Sequence, residues 1–325
     1  MDVRDTLQHT GIPLSCGAGA IPAVGFAAPV CHPVVARQAV RVALETGFRH
    51  LDCAEVHRNE DVVGDAIQDA FRAGVARRQD LFVTTKLWNN NHRPERVGPA
   101  LNASLLRLRL DHVDSYLIHT PFAFPPGDDL HPRGEGGEDI YDPGVTLAET
   151  WQAMERLVDQ GKCRTIGLAG VHLAKLKEIA AVARIMPAVV QVGSHPYLPE
   201  WELLDFCRQH GIAIVADAPL GDCARPRVTD DPLILAIARR EHVTPAQAVL
   251  AWAIQRGTAV LVASSAPSQI RASFVVPSLP DSALREMRDG VTTRVFCPYR
   301  RRVKPSMAFP VAAGSMAPLG RGQMF

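Results

Sequence analysis

The sequence lacks the features that mark a secreted, disulfide-linked or membrane-spanning protein. Its seven cysteines include no Cys-x-x-Cys pair, and an odd number without paired spacing is typical of free thiols in a reducing compartment. No stretch approaches the roughly eighteen apolar residues of a transmembrane helix. The opening MDVRDTLQHTGIPL lacks a basic flank followed by an apolar run. We therefore expect a soluble, cytoplasmic protein with no membrane partner.

The sequence also has almost no net charge and no metal-binding pattern. Its formal net charge is +1, so no excess charge favours nucleic acid as a partner. No group of His, Cys, Asp and Glu residues has the spacing of metal ligands, and we predict no metal. What is present is a chain of 325 residues, 47% of them hydrophobic, which is enough to bury a large core.

Short apolar runs alternate with helical patterns along the chain. The predicted strands are 21–28, 48–52, 81–86, 113–119, 165–169, 188–192, 212–218 and 259–263. The predicted helices are 34–46, 60–76, 93–109, 147–160, 173–184, 200–210, 232–242 and 244–256. Strict alternation favours parallel strands joined by crossover helices. Eight such units predict an α/β protein with a closed (β/α)8 TIM barrel.

The regions outside the repeating pattern complete the predicted architecture. We expect residues 1–290 to form a single barrel domain with an N-terminal extension and long loops after its strands. Residues 291–325 lose the pattern and include a basic run at 300–304, which predicts an arm or tail over the barrel mouth. The loop at 120–146 is rich in Gly, Pro and acidic residues, and a loop of that length is usually functional or mobile.

Polar residues end three of the predicted strands. Asp52, Lys86 and His119 each follow a short apolar run, and His57 lies on the loop just beyond Asp52. In a (β/α)8 barrel the carboxyl ends of the strands form the mouth, where the chemistry takes place. These four residues are therefore the candidate catalytic group.

Several motifs occur in the order found in one known family. They are GFRHLDCA, the Asn-Glu pair at 59–60, TTKLWNN, YLIHTP, FPPGDDLHPRG, ETWQAME, GKCRTIGLAG, QVGSHPYL and APLGD. Over about residues 20–290 the chain resembles the aldo-keto reductase superfamily. The resemblance implies a TIM barrel, a carbonyl or alcohol as the small-molecule substrate, and NADPH or NADH extended across the barrel mouth.

The resemblance also gives each of the four polar residues a role. Asp52, Lys86 and His119 match the family's Asp, Lys and His, whereas the family's tyrosine, which donates a proton to the substrate oxygen, is replaced by His57. An imidazole beside Lys86 loses its proton more readily than a free imidazole, although Asp52 opposes this. His57 is thus better suited to accept a proton, which makes general base chemistry an alternative.

The positions that match the family's nicotinamide site have changed as well. Its Ser-Asn pair is Ala169-Gly170 here, and its stacking tyrosine is Asp217. Loss of a stacked ring removes on the order of 1 kcal/mol. The remaining candidate contacts are Asp52, Gln191 and the backbone of Pro219, Leu220 and Gly221.

The match to the family's adenosine phosphate site is weaker still. The Lys-Ser pair that meets the 2′-phosphate is replaced by Ser264-Ser265, and Arg271 is the nearby cation that could substitute for it. Each missing charge-assisted contact weakens binding by roughly 1.5–3 kcal/mol. We therefore expect NADPH to bind more weakly than in a typical member.

Three functional hypotheses follow from this pattern. The first is a nicotinamide-dependent oxidoreductase that reduces a carbonyl or oxidises an alcohol, with His57 and Lys86 handling the proton and His119 orienting the carbonyl. The second is an isomerase, dehydratase or cyclase without cofactor, in which His57 removes a proton next to a carbonyl. The third is an inactive binding homologue.

The predicted substrate pocket consists of Val56, Trp88, Thr120 and Phe122. We expect a monomer, because a closed barrel leaves no sheet edge.

Overall fold

The structure, a computed structural model, describes residues 5–15, 17–221 and 226–291 and contains a closed barrel of eight parallel strands. A hairpin of β1 (Gly11–Pro13) and β2 (Ala20–Pro22) precedes the barrel. The barrel strands are β3 (Val24–Ala27), β4 (His50–Asp52), β5 (Phe82–Leu87), β6 (Val113–Ile118), β7 (Cys163–Ala169), β8 (Val189–Gly193), β9 (Ala213–Asp217) and β10 (Thr258–Val262). The predicted (β/α)8 barrel is confirmed.

Helices cover the outside of the barrel. Those that follow β3 to β8 are α1 (Pro33–Thr46), α2 (Glu60–Arg72), α3 (Pro94–Leu108), α4 (Leu147–Asp159), α5 (Leu173–Val182) and α6 (Trp201–His210). Two helices follow β9, namely α7 (Pro232–Arg240) and α8 (Pro245–Gln255), and two follow β10, namely α9 (Pro267–Phe274) and α10 (Asp281–Gly290). None of the described helices is long and apolar enough to cross a membrane.

Local sequence signals explain where several helices begin and end. The side chains of Thr244 and Asp231 accept hydrogen bonds from the first free backbone N–H groups of α8 and α7. Proline follows each of them, where its fixed φ suits the first helical turn. Gly74 and Gly211 lie beyond α2 and α6 with φ of 68° and 64°, the left-handed conformation expected of a glycine that ends a helix.

The strand register brings the candidate catalytic residues to one face. Asp52 pairs with Thr84 on β5, and Lys86, two residues farther along, pairs with Leu117 on β6. Because all eight strands run parallel, their carboxyl ends meet at the same mouth. The barrel closes where β10 pairs with β3 through Val260 and Val24.

The prediction of one strand over 21–28 is wrong. The chain changes partner at Ala23, whose N–H bonds to the Thr10 carbonyl and whose own carbonyl accepts from the N–H of Val260. Residues before Ala23 belong to the hairpin, and residues after it belong to the barrel. The hairpin therefore lies at the amino ends of the strands, opposite the mouth.

The helices α9 and α10 were not predicted. Both are short, and each buries only two residues, Ile270 and Phe274 in α9 and Ala283 and Met287 in α10. The predicted C-terminal arm, with its basic run, lies outside the described residues, apart from its first residue, Val291.

Candidate active site

A buried ion pair lies at the bottom of the mouth. The Nζ atom of Lys86, which is 2% exposed, donates to Oδ1 and Oδ2 of Asp52 at 2.7 Å each and to the Cys53 carbonyl at 2.8 Å. Gln191 gives Asp52 a further hydrogen bond from across the barrel. Burial raises the pKa of Asp52, and Lys86 opposes that rise. The ammonium group has three acceptors for its three N–H bonds, so it is held rigidly.

His57 stands above this pair on a short 3-10 turn, Glu55–His57. The turn ends at Arg58, whose left-handed φ of 49° reverses the chain before α2. Burial, and then the positive charge of Lys86, lower the pKa of His57 to about 4, and Asp217 opposes them. The Nδ1 atom of His57 is buried without a partner among the described residues. His57 is therefore a neutral imidazole at pH 7.

His119 follows β6 and faces the same mouth. Its ring centroid lies 6.3 Å from that of His57 and 5.0 Å from that of Trp88, both nearly edge-on. Burial, Lys86 and His57 lower the pKa of His119 well below its usual value. Two neutral imidazoles thus lie above an ion pair whose charges cancel.

The loop at 120–146 forms one wall of the mouth. Trp88 donates its indole N–H to the Leu130 carbonyl at 2.8 Å, and Asn90 donates its side-chain amide to the Gly127 carbonyl at 2.7 Å. Phe124 packs edge-on against Trp88 with 6.1 Å between ring centroids. These contacts fix the loop against the carboxyl end of β5.

The four residues predicted to line the substrate pocket lie near this wall. Trp88 is 8% exposed and contacts His119, while Val56 and Phe122 are half-buried. The hydroxyl of Thr120 donates to Oδ1 of Asn89 at 2.8 Å. Whether these residues contact substrate stays a prediction.

Glu55 was missed by the sequence reasoning. Its carboxylate accepts from the backbone N–H of Trp88 at 2.9 Å and from the side-chain amide of Asn91 at 2.7 Å. It therefore ties the turn that carries His57 to the segment that carries Trp88. The available signal was the polar run WNNNH directly after β5, whose three asparagines are all buried.

The predicted nicotinamide positions lie at neighbouring strand ends. Ala169 pairs with Gln191, and the N–H of Gly170 donates to the Gln191 carbonyl at 2.9 Å. A side chain at Gly170 would contact the His119 carbonyl at 3.4 Å, so glycine leaves space there. Gln191 and this space, beside the Asp52–Lys86 pair, fit the amide of a nicotinamide ring.

A tight turn follows β9. Asp217 accepts from the N–H of Ala218 at 3.0 Å, and the N–H of Gly221 donates to the Ala218 carbonyl at 2.8 Å. The Asp217 side chain is exposed to solvent but surrounded by protein on most sides, and this enclosure raises its pKa. Pro219 and Gly221 are buried within the turn, and Leu220 is half-buried.

The predicted phosphate positions offer little charge. The hydroxyl of Ser264 donates to Gln269 at 2.8 Å and accepts from the N–H of Ala266 at 3.0 Å, so it is used within its own loop. Ser265 and Arg271 are exposed. The described residues thus fit the nicotinamide better than the adenosine phosphate. No group of three or more potential metal ligands occurs among them.

Comparison with known proteins extends the picture. A sequence model of the "Aldo/keto reductase family" matches residues 31–288 of this chain. A zebrafish (Danio rerio) protein, Aldo-keto reductase family 1 member A1-A, is 41% identical over 79% of this chain and 81% of its own. The human (Homo sapiens) Aldo-keto reductase family 1 member A1 is 38% identical over 81% of each chain. The aldose reductase structure from Schistosoma japonicum superposes with a TM-score of 0.83 and 35% identity, covering 88% of this chain and 94% of that one.

Proposed function

The chain belongs to the aldo/keto reductase family, and from this premise we propose that it is a nicotinamide-dependent oxidoreductase that interconverts a small carbonyl compound and its alcohol. The observation that carries the proposal is the convergence of the Asp52–Lys86 pair, His57 and His119 at the mouth. The substrate oxygen would lie between the two imidazoles, and a nicotinamide held at this mouth would supply or accept the hydride.

In the oxidation direction His57 acts as the base. A neutral ring nitrogen accepts the proton of the alcohol hydroxyl as the hydride leaves carbon, which balances the reaction with one proton and one hydride removed. In the reduction direction the step runs in reverse: the His57 imidazolium donates a hydrogen bond that polarises the carbonyl and then transfers that proton to the oxygen as carbon accepts the hydride, which leaves a neutral ring. Lys86 does not donate directly, since its three N–H bonds already have acceptors.

Gln191 and Asp52 would hold the nicotinamide end of the cofactor. Gln191 bonds to the carboxylate of Asp52 and lies beside the space at Gly170. Ser265 and Arg271 are the exposed groups available to the adenosine end. Arg271 lies outside the Lys-Ser position, and Ser264 at that position is already bonded within its own loop, so we expect NADH to compete with NADPH better than in a member with a Lys-Ser pair.

A second function is favoured by the neutrality of His57. A base of this kind beside a buried ion pair could remove a proton next to a carbonyl without any cofactor, giving an isomerisation, dehydration or ring closure. Only the oxidoreductase requires a nicotinamide, so a measurement of nicotinamide binding distinguishes the two functions.

Titration of the purified protein with NADPH and NADH, followed by calorimetry or by quenching of tryptophan fluorescence, tests the proposal. We expect micromolar to submillimolar binding of at least one cofactor. No binding at millimolar concentration would contradict the oxidoreductase and favour the cofactor-free function. In that case His57→Ala should abolish turnover without nicotinamide, and persistent turnover would eliminate His57 as the base.

A further inference from the structure

Asp217 is a carboxylate at the mouth that, unlike Asp52, binds no cation among the described residues. Asp52 and Lys86 neutralise each other, and His57 and His119 are neutral at pH 7. Asp217 has no ion-pair partner among the described residues, and its hydrogen bond comes from the backbone of Ala218. Among the described residues, Asp217 therefore adds a negative charge to the catalytic end of the mouth.

The strand register directs Asp217 toward the interior of the mouth. Asp217 pairs with Gly193 on β8, and paired residues of parallel strands point to the same side. Gln191 lies two residues before Gly193, and it faces inward because it bonds to Asp52 across the barrel. Asp217 also interacts electrostatically with Asp52, Lys86 and His57. Its carboxylate thus faces the same space as the candidate catalytic residues.

The space beside this carboxylate is open. A Cβ atom placed at Gly193 would meet no heavy atom within 4 Å, and Gly170 on the neighbouring strand end is exposed. Gly193 therefore leaves open space beside Asp217, where part of a ligand could lie.

We propose that Asp217 makes the mouth discriminate between the two redox forms of the nicotinamide ring in favour of the oxidised form. This inference rests on the proposed function. The oxidised ring carries a positive charge that the reduced ring lacks, whereas the rest of the cofactor is unchanged. A carboxylate next to the ring attracts only the charged form, and the effect is strong where protein excludes part of the water. Stabilising the oxidised form on the protein shifts the bound equilibrium toward alcohol.

The test compares dissociation constants rather than turnover. The four ligands NAD+, NADH, NADP+ and NADPH are titrated into the wild type and into Asp217→Asn, which keeps the oxygen that accepts from Ala218. The measured quantity is the dissociation constant of the oxidised form divided by that of the reduced form. We expect Asp217→Asn to raise this ratio roughly tenfold. Effects on the shared adenosine half cancel in the ratio.

Asp111→Asn is the matched control. It removes the same charge from a side chain that is 85% exposed and lies before β6, at the opposite end of the barrel. It should leave the ratio unchanged. An equal ratio in the wild type and Asp217→Asn, with both forms still bound, would overturn the role of Asp217 alone. If none of the four ligands binds, both the proposed function and the role of Asp217 are overturned. A wild type that prefers the reduced form tenfold would also contradict the inference, even if the variant does not fold.

Discussion

A histidine and a tyrosine in the same position differ in acidity as well as in size. A neutral imidazole is a weak proton donor, and the pKa of His57 is lowered to about 4, so its acidic form is scarce at pH 7. A phenol beside the Lys86 ammonium would be a better acid. We expect His57→Tyr to raise carbonyl reduction with NADPH about ten- to a hundredfold, measured as kcat/KM on small aldehydes.

His57→Phe provides the control for this change. It fills similar space without a hydroxyl group, so it should not raise the rate. No gain in His57→Tyr, with NADPH still bound, would count against a proton-transfer role at this position.

The rates of alcohol oxidation and carbonyl reduction should change in opposite directions as the pH falls. A base with a pKa of about 4 is deprotonated at every pH above about 5. The rate of alcohol oxidation should therefore be constant from pH 8 to 5 and fall below pH 5. Carbonyl reduction should instead rise as the pH falls toward 4, because imidazolium accumulates. The kcat profile in both directions checks this, and His57→Gln should remove both inflections. A reduction rate that falls with acidification would contradict the assignment.

The sequence could predict that Asp52, Lys86 and His119 converge, because parallel strands bring their carboxyl ends to one face whatever the side chains do. The link through Glu55 could not be predicted in this way. It depends on how the turn before α2 packs against the residues after β5, which no repeating pattern specifies. The neutral state of His57 likewise depends on the depth of its burial.

Among the secondary-structure elements, α2 is fastened to its neighbours by one buried carboxylate. Glu60, fully buried, accepts from Thr85 at 2.5 Å, from Ser104 at 3.0 Å and from Arg107 at 2.7 Å. These partners lie on β5 and α3. Because Thr85 precedes Lys86, the same contacts hold the strand that carries the ion pair.

Glu60→Gln should destabilise the protein by about 2–3 kcal/mol. The amide keeps one acceptor oxygen and leaves the guanidinium of Arg107 without its charge partner; the usual penalty of about 3–5 kcal/mol is reduced because the Arg107 side chain is 35% exposed. Urea unfolding measures the change. The exposed Glu95→Gln in the first turn of α3 should change stability by less than about 0.5 kcal/mol. Equal effects of the two substitutions would contradict the role given to Glu60.

The boundaries of the elements show what sequence patterns can and cannot define. The helix at 244–256 was predicted to within one residue, since Thr244 caps it and Pro245 begins it. The strand over 21–28 was not, because its division at Ala23 depends on two distant carbonyl and amide partners. The helix α9 has a proline at its start as well, but it is too short for its two buried residues to form a pattern.

At the scale of the whole molecule, stability should fall on mild acidification. Burial lowers the pKa of His57, His92 and His195 to about 4 and of His50 to about 3, all below the usual 6.5. Between pH 6.5 and 4 the unfolded chain binds protons at these rings and the folded chain does not, so the histidines favour unfolding in acid. They outnumber the carboxylates Asp52, Glu55 and Asp217, whose pKa values burial raises and which act in the opposite direction. We expect the free energy of unfolding to drop by several kcal/mol from pH 6.5 to 5, measured by urea titration at each pH.

His92→Leu isolates one part of this effect. His92 is 2% exposed and its Nε2 has no partner among the described residues. Its removal should lessen the slope of the unfolding free energy against pH by about 1.4 kcal/mol per pH unit below pH 6.5. An unchanged slope would show that His92 already carries a proton in the folded protein.

Closure of the barrel between β10 and β3 also governs how the fold opens. Each of the eight strands has a neighbour on both sides, so no strand can separate from an edge while the others stay paired. The most protected amide hydrogens of all eight strands should therefore exchange with deuterium through one shared opening of the whole barrel, with nearly equal free energies.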